Sequence, residues 1–99
     1  MILLRKNFPK TLVIGESVWE IKFARVIPGE KPDTLGLCDP STSTIWIRTG
    51  QTPKERFKCL CHELAHSLCH EYKIGENHET IYKIEEPLYR LFVDNGLVL

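Results

Sequence analysis

Apolar and polar positions alternate through the first half of the chain and recur at helical spacing through the second. The run "TLVI" (11–14) is short and β-rich, and "GES" after it reads as a turn. In "VWEIKFARVI" (18–27) Trp19, Ile21 and Phe23 fall on one face and Glu20 and Lys22 on the other, the period of a half-buried strand. "PGEKPD" (28–33) is a loop by its Pro, Gly and Asp content. "LGLC" (35–38) and "TIWIR" (44–48) flank the polar turn "DPSTS" and read as an antiparallel hairpin, with Ile45 and Ile47 on one face.

The second half starts with a capping box. Thr52 is the expected N-cap, Pro53 the first helical residue and Glu55 the third. Phe57, Leu60, Cys61, Leu64, Ala65 and Leu68 form an apolar stripe running to about Tyr72, and Gly75 suits a left-handed cap. Asn77 is the N-cap of a second helix with the stripe Ile81, Ile84, Leu88, Leu91 and Phe92, closed by "DNG" (94–96). Pro87 should kink or break it. Strands followed by helices predict an α+β fold: a small antiparallel sheet of three to four strands packed on two main helices. At 99 residues the chain (1–99) is expected to be a single domain.

Composition narrows the function. Apolar residues make up 42% and charged residues 26%, ordinary for a globular protein, and 13 basic against 13 acidic residues leave no net charge. The densest basic run is only Arg5, Lys6 and Lys10, so no nucleic-acid partner is indicated. No stretch approaches the length of a membrane span, and "MILLRKNFPK" lacks the layout of a secretory signal, so the expected location is cytoplasmic. Reduced thiols are then the default for the four cysteines. Cys59 and Cys61 point apart on one helix and cannot bridge each other; Cys38 and Cys61 read as small core groups.

The chemistry concentrates at His62-Glu63-Leu64-Ala65-His66, an H-E-x-x-H sequence. Residues four apart stack on one helix face, so His62 and His66 can place ring nitrogens on one ion. Glu63 lies about 100° around the helix and reaches a water in the open coordination position. Zinc lowers that water's pKa toward neutrality, and the carboxylate takes its proton and returns it to the leaving amine. A third ligand should follow, from His70, Glu71, Glu76, His78, Glu79, Glu85 or Glu86. His70 lies about 12 Å from His62 along the helix axis, too far to share an ion. His78 and Glu85 both fall on the stripe of the second helix, whereas Glu79 turns away from it. His78 ranks first, Glu85 second and Glu79 third.

With "TPKERFKCLC" before "HELAH", the hairpin "LGLCDPSTSTIWIR" upstream and "HETIYKIEEPLYRLFVDN" downstream, residues 35–95 resemble the minimal zincin-type metallopeptidases of phage and prophage genomes, distantly similar to SprT-like and ImmA/IrrE-like groups. The resemblance implies a third ligand early in the second helix, three residues before an apolar position, where His78 stands before Ile81. It also implies a small or apolar residue where this chain has Glu85, which opens a role for Glu85 as a partner of a ligand histidine. A peptide substrate would lie extended along a free strand edge near the metal, for which "TIWIR" is the candidate.

The expected activity is therefore zinc-dependent peptide-bond hydrolysis, with His62, His66 and His78 as ligands, Glu63 as base and a protein or peptide as substrate. Tyr72, Tyr82, His70 and Arg48 are candidates to donate a hydrogen bond to the transition state. The alternative is a non-catalytic binding or adaptor domain in which zinc is a structural clip. Further rivals are a Cys₂His₂-type structural site, a metal-free core helix and a cysteine nucleophile paired with His62 or His66. The cysteine spacing disfavours the structural site, and no evident oxyanion-hole loop serves the nucleophile.

Overall fold

The computed structural model of the protein describes residues 9–96. The opening "MILLRKNF", with Arg5 and Lys6 of the basic run, lies outside the described residues. Six elements follow in order: β1 (Thr11–Ile14), β2 (Ser17–Ala24), β3 (Gly36–Asp39), β4 (Thr44–Arg48), α1 (Pro53–Glu71) and α2 (His78–Asp94). This is the α+β arrangement of four strands and two helices that the patterns indicate. No helix among the described residues is long and apolar enough to cross a membrane.

The sheet order is β1-β2-β4-β3. β1 pairs antiparallel with β2, and β3 with β4, but the central β2–β4 pair is parallel, with Ile21 opposite Ile45 and Phe23 opposite Ile47. The sheet is thus mixed rather than antiparallel throughout, and β3 rather than β4 is the outer strand on this side. The reason lies in side-chain character. β4 is apolar on both faces through Ile45, Trp46 and Ile47, which suits a central strand, whereas β3 is short and begins with glycine, which suits an edge.

The inner sheet face packs on α1. Trp19, Ile45 and Ile47 are fully buried against Phe57, Leu60 and Cys61. Trp46 takes the opposite face, as its alternation requires, and Lys22 stands 5.6 Å over its ring. Phe23, expected inside with Trp19, is 39% exposed, and β2 ends at Ala24. Beyond it Ile27 returns to full burial from the following loop.

The start of α1 follows its sequence signal closely. The Thr52 hydroxyl accepts from the Glu55 N–H at 3.2 Å, and the Glu55 carboxylate accepts from the Thr52 N–H at 2.9 Å. Its end differs: the left-handed residue is Lys73, with φ 55°, not Gly75. α1 is covered on two sides, by the sheet and by α2, so burial extends beyond the expected stripe to Glu63, Ser67 and Cys69. The N-cap of α2 is Asn77, whose side chain accepts from the Thr80 N–H at 2.8 Å. α2 continues through Pro87 as one helix and buries only one side; Ile81 is buried and Leu91 exposed.

Candidate metal centre

His62 and His66 project from the same side of α1 toward α2 and its preceding loop. Their Nε2 atoms stand 3.3 Å apart. The far nitrogen of each ring meets a carboxylate: His62 Nδ1 lies 2.8 Å from Glu85 Oε1, and His66 Nδ1 lies 3.2 Å from Glu76 Oε2. An ionised carboxylate only accepts hydrogen bonds, and opposite one Nδ1 would be the donor in each contact. A neutral ring that carries its proton on Nδ1 leaves Nε2 bare. Two lone pairs then converge on one point, which is unfavourable unless a cation lies between them.

The spacing fits such a cation. Two nitrogen ligands about 2.1 Å from a tetrahedral ion are separated by about 3.4 Å. The backing carboxylates match the partners that metal-bound histidines commonly have. Imidazole nitrogen is a favoured donor for zinc, and the residues present therefore fit it as far as two ligands. Among the described residues no group of three or more His, Cys, Asp or Glu side chains is already gathered around one ion position.

Glu63 sits beside the pair and is only 7% exposed. Burial pushes its carboxyl above the ordinary range; nearby His62 and His66 pull it down, and Glu85 raises it further. Close approach of the β3 backbone creates much of that burial. A Cβ on Gly36 would stand 2.8 Å from Glu63 Oε2 and 2.5 Å from Cys59 Sγ, so no larger residue fits there without displacement. A glycine inside a strand pattern, as in "LGLC", is the sequence signal for such an approach. Cavities of about 390 and 570 Å³ open on the two sides of His62 and Glu63. The smaller is bounded by Gly36, Leu37 and Cys38 of β3 with His66 and Glu76. The larger is bounded by Arg48, Gln51, Lys58, Cys59 and Glu85.

The remaining candidates are placed as follows. His78 is the first residue of α2, exposed, and lines neither cavity. Glu79 is exposed and paired with Lys83 at 2.8 Å. Glu71 accepts from Trp19 Nε1 and Ser17 Oγ, both at 2.9 Å, and is engaged in the fold. His70 is exposed at the far end of α1, its ring edge-on to Trp19. Tyr72 and Tyr82 are exposed and line neither cavity; Arg48 is the one transition-state candidate that does. Cys38 and Cys59 border the cavities, but burial is the main cause that pushes both thiols up to about 12. Cys61 and Cys69 are buried.

The sequence profile of the M78 peptidases, described as the IrrE N-terminal-like domain, matches residues 24–91. The chain belongs to this family. The matched M78 segment contains β3, β4, α1 and most of α2, and therefore both histidines and all three carboxylates of the centre. β1 and all of β2 except Ala24 precede it. The match supports the ImmA/IrrE-like part of the resemblance and a metallopeptidase type of domain. No curated protein and no solved structure matches the chain.

Proposed function

We propose that this M78 domain is a zinc-dependent peptidase of the minimal phage type, acting in the cytoplasm on a protein or peptide. The observation that carries the reading is the 3.3 Å approach of the two Nε2 atoms, each ring backed by a carboxylate and both beside a buried Glu63. His62 and His66 would hold the zinc, with His78 as the third ligand. His78 follows Glu76, which already reaches His66, by two positions. Bound zinc would supply Lewis acidity and lower the pKa of a water in its open position.

The chain's own residues do the rest. Glu63, held close under Gly36 of the sheet, takes the proton of the attacking water and passes it to the departing amine. Its elevated pKa suits a base that must also release that proton. The substrate lies along the outer edge of β3, which borders the smaller cavity, and hydrogen bonds to that strand hold it extended. Arg48, on the wall of the larger cavity, is the candidate donor to the developing oxyanion.

The deciding experiment combines zinc stoichiometry with peptide hydrolysis. Wild type should bind one equivalent of zinc, and His62→Ala well below one; unchanged stoichiometry removes the assignment. Loss of zinc affinity in His78→Ala, but not in Glu79→Ala, supports His78, and the reverse removes it. Hydrolysis retained in Glu63→Gln would remove Glu63 from its role, and a zinc-loaded wild type that hydrolyses no peptide would be a clip-type binding domain rather than an enzyme.

A further inference from the structure

The connection between α1 and α2 is built to return a carboxylate to the metal helix. Past the end of α1 the Tyr72 N–H bonds to the Leu68 carbonyl at 3.0 Å and the Ile74 N–H to the Cys69 carbonyl at 2.9 Å. Lys73 adopts the left-handed conformation between them. This doubles the chain back, and the Asn77 cap then starts α2. Glu76 is held between these two fixed points, and its carboxylate reaches His66 Nδ1.

We propose that Glu76 is a positioning residue that sets the ring tautomer of His66, as Glu85 does for His62, so that both rings present bare Nε2 atoms before a metal arrives. The proposal rests on reading the site as a metal centre, and it extends to the apoprotein. Without a carboxylate behind it, a histidine on the partly exposed face of α1 is free to carry its proton on Nε2. That tautomer must be undone before the ring can ligate an ion. The two carboxylates remove this step, and their charge makes each ring a stronger donor to the ion. The two anchors come from different kinds of structure. Glu85 projects from the middle of α2, whereas Glu76 depends on the short returned connection. His66 is thus the ring whose orientation is set by the loop.

The test is histidine ¹⁵N NMR of the metal-free protein at about pH 8, above the ordinary imidazole range. His62 and His66 should carry the proton on Nδ1, whereas His70 and His78 should show the Nε2–H form. Glu76→Ala should move His66 alone to the Nε2–H form, and Glu85→Ala should move His62 alone. Each should weaken zinc binding by about 10- to 100-fold. Glu76→Asp, which keeps the acceptor charge, should recover part of the His66 signature. The same spectra report whether each variant is folded. An Nε2–H His66 in wild type, or an Nδ1–H His66 in folded Glu76→Ala, overturns the proposal even if zinc binds normally. Expected tautomers in a protein that binds no zinc leave the positioning role standing and remove the metal reading instead.

Discussion

Two carboxylates of α1, Glu63 and Glu71, are both drawn into the molecule and are treated in opposite ways. Glu71 uses its two oxygens as acceptors, one for the Trp19 indole and one for the Ser17 hydroxyl. Among the described residues Glu63 receives no hydrogen bond, although it is the more buried, and its neighbours leave its carboxyl shifted upward. A carboxylate satisfied by two donors is part of the fold's wiring. Glu63 instead borders both cavities beside His62, without a donor from the described residues, a setting common at reactive carboxylates. The same residue type on the same helix thus stands in two settings that differ in their donors.

Exchange of each carboxylate for an uncharged group should break this contrast most sharply. Glu63→Gln is expected to lower peptide hydrolysis by about 10²- to 10⁴-fold, with the melting temperature little changed, because no donor among the described residues is left unpaired. Paired activity and melting measurements check both halves, and a large loss of stability would place Glu63 with Glu71. Glu71→Ala should do the reverse. It strands the buried Trp19 N–H and should cost about 1–3 kcal/mol in urea unfolding, with hydrolysis per folded molecule retained.

A third change acts on the niche rather than on the charge. Gly36→Ala puts a methyl group against Glu63 and Cys59 and should cost about 1–3 kcal/mol by overpacking, together with a loss of hydrolysis. A variant of wild-type stability and activity would show that the β3 approach is looser than described. The smallest effect reports the Glu63 charge directly. The Cys59 thiol, which donates to the Leu35 carbonyl at 3.2 Å, is raised from 9.0 to about 12 by burial first and by the charge of Glu63 second. Its alkylation at neutral pH should be slow, and removal of that charge lowers its pKa and increases the thiolate fraction. Glu63→Gln should therefore speed alkylation a few-fold, and Glu71→Gln should leave it unchanged; mass spectrometry of the labelled peptide distinguishes the two.

The features legible in the sequence are those encoded by local spacing. The capping box at Thr52, the Asn77 cap, the inward Ile45 and Ile47, and the shared face of His62 and His66 all follow from residues a few positions apart. The approach of Glu85 to His62 was also readable, because its place on the α2 stripe points it toward α1. Glu76 stood among the candidates but could not be ranked. It lies in a connection without periodicity, and its direction is set by backbone bonds at Tyr72 and Ile74 that no side-chain pattern records. The parallel β2–β4 pairing was equally hidden, since it joins strands separated by a loop and another strand. It displaced the expected substrate edge from β4 to β3.

Glu71 also ties the segment that matches the family to the strands ahead of it. Its donors, Ser17 and Trp19, lie in the β1–β2 hairpin, ahead of residues 24–91 that match the family, while Glu71 itself ends the helix that carries His62 and His66. A shortened chain starting at residue 24 would keep every residue of the centre. It would lose the fully buried Trp19 and the parallel neighbour of β4, and would leave Glu71 without its two donors. The family segment of this chain is therefore not a separable module, because the N-terminal hairpin closes the core beneath the helix that carries His62, Glu63 and His66.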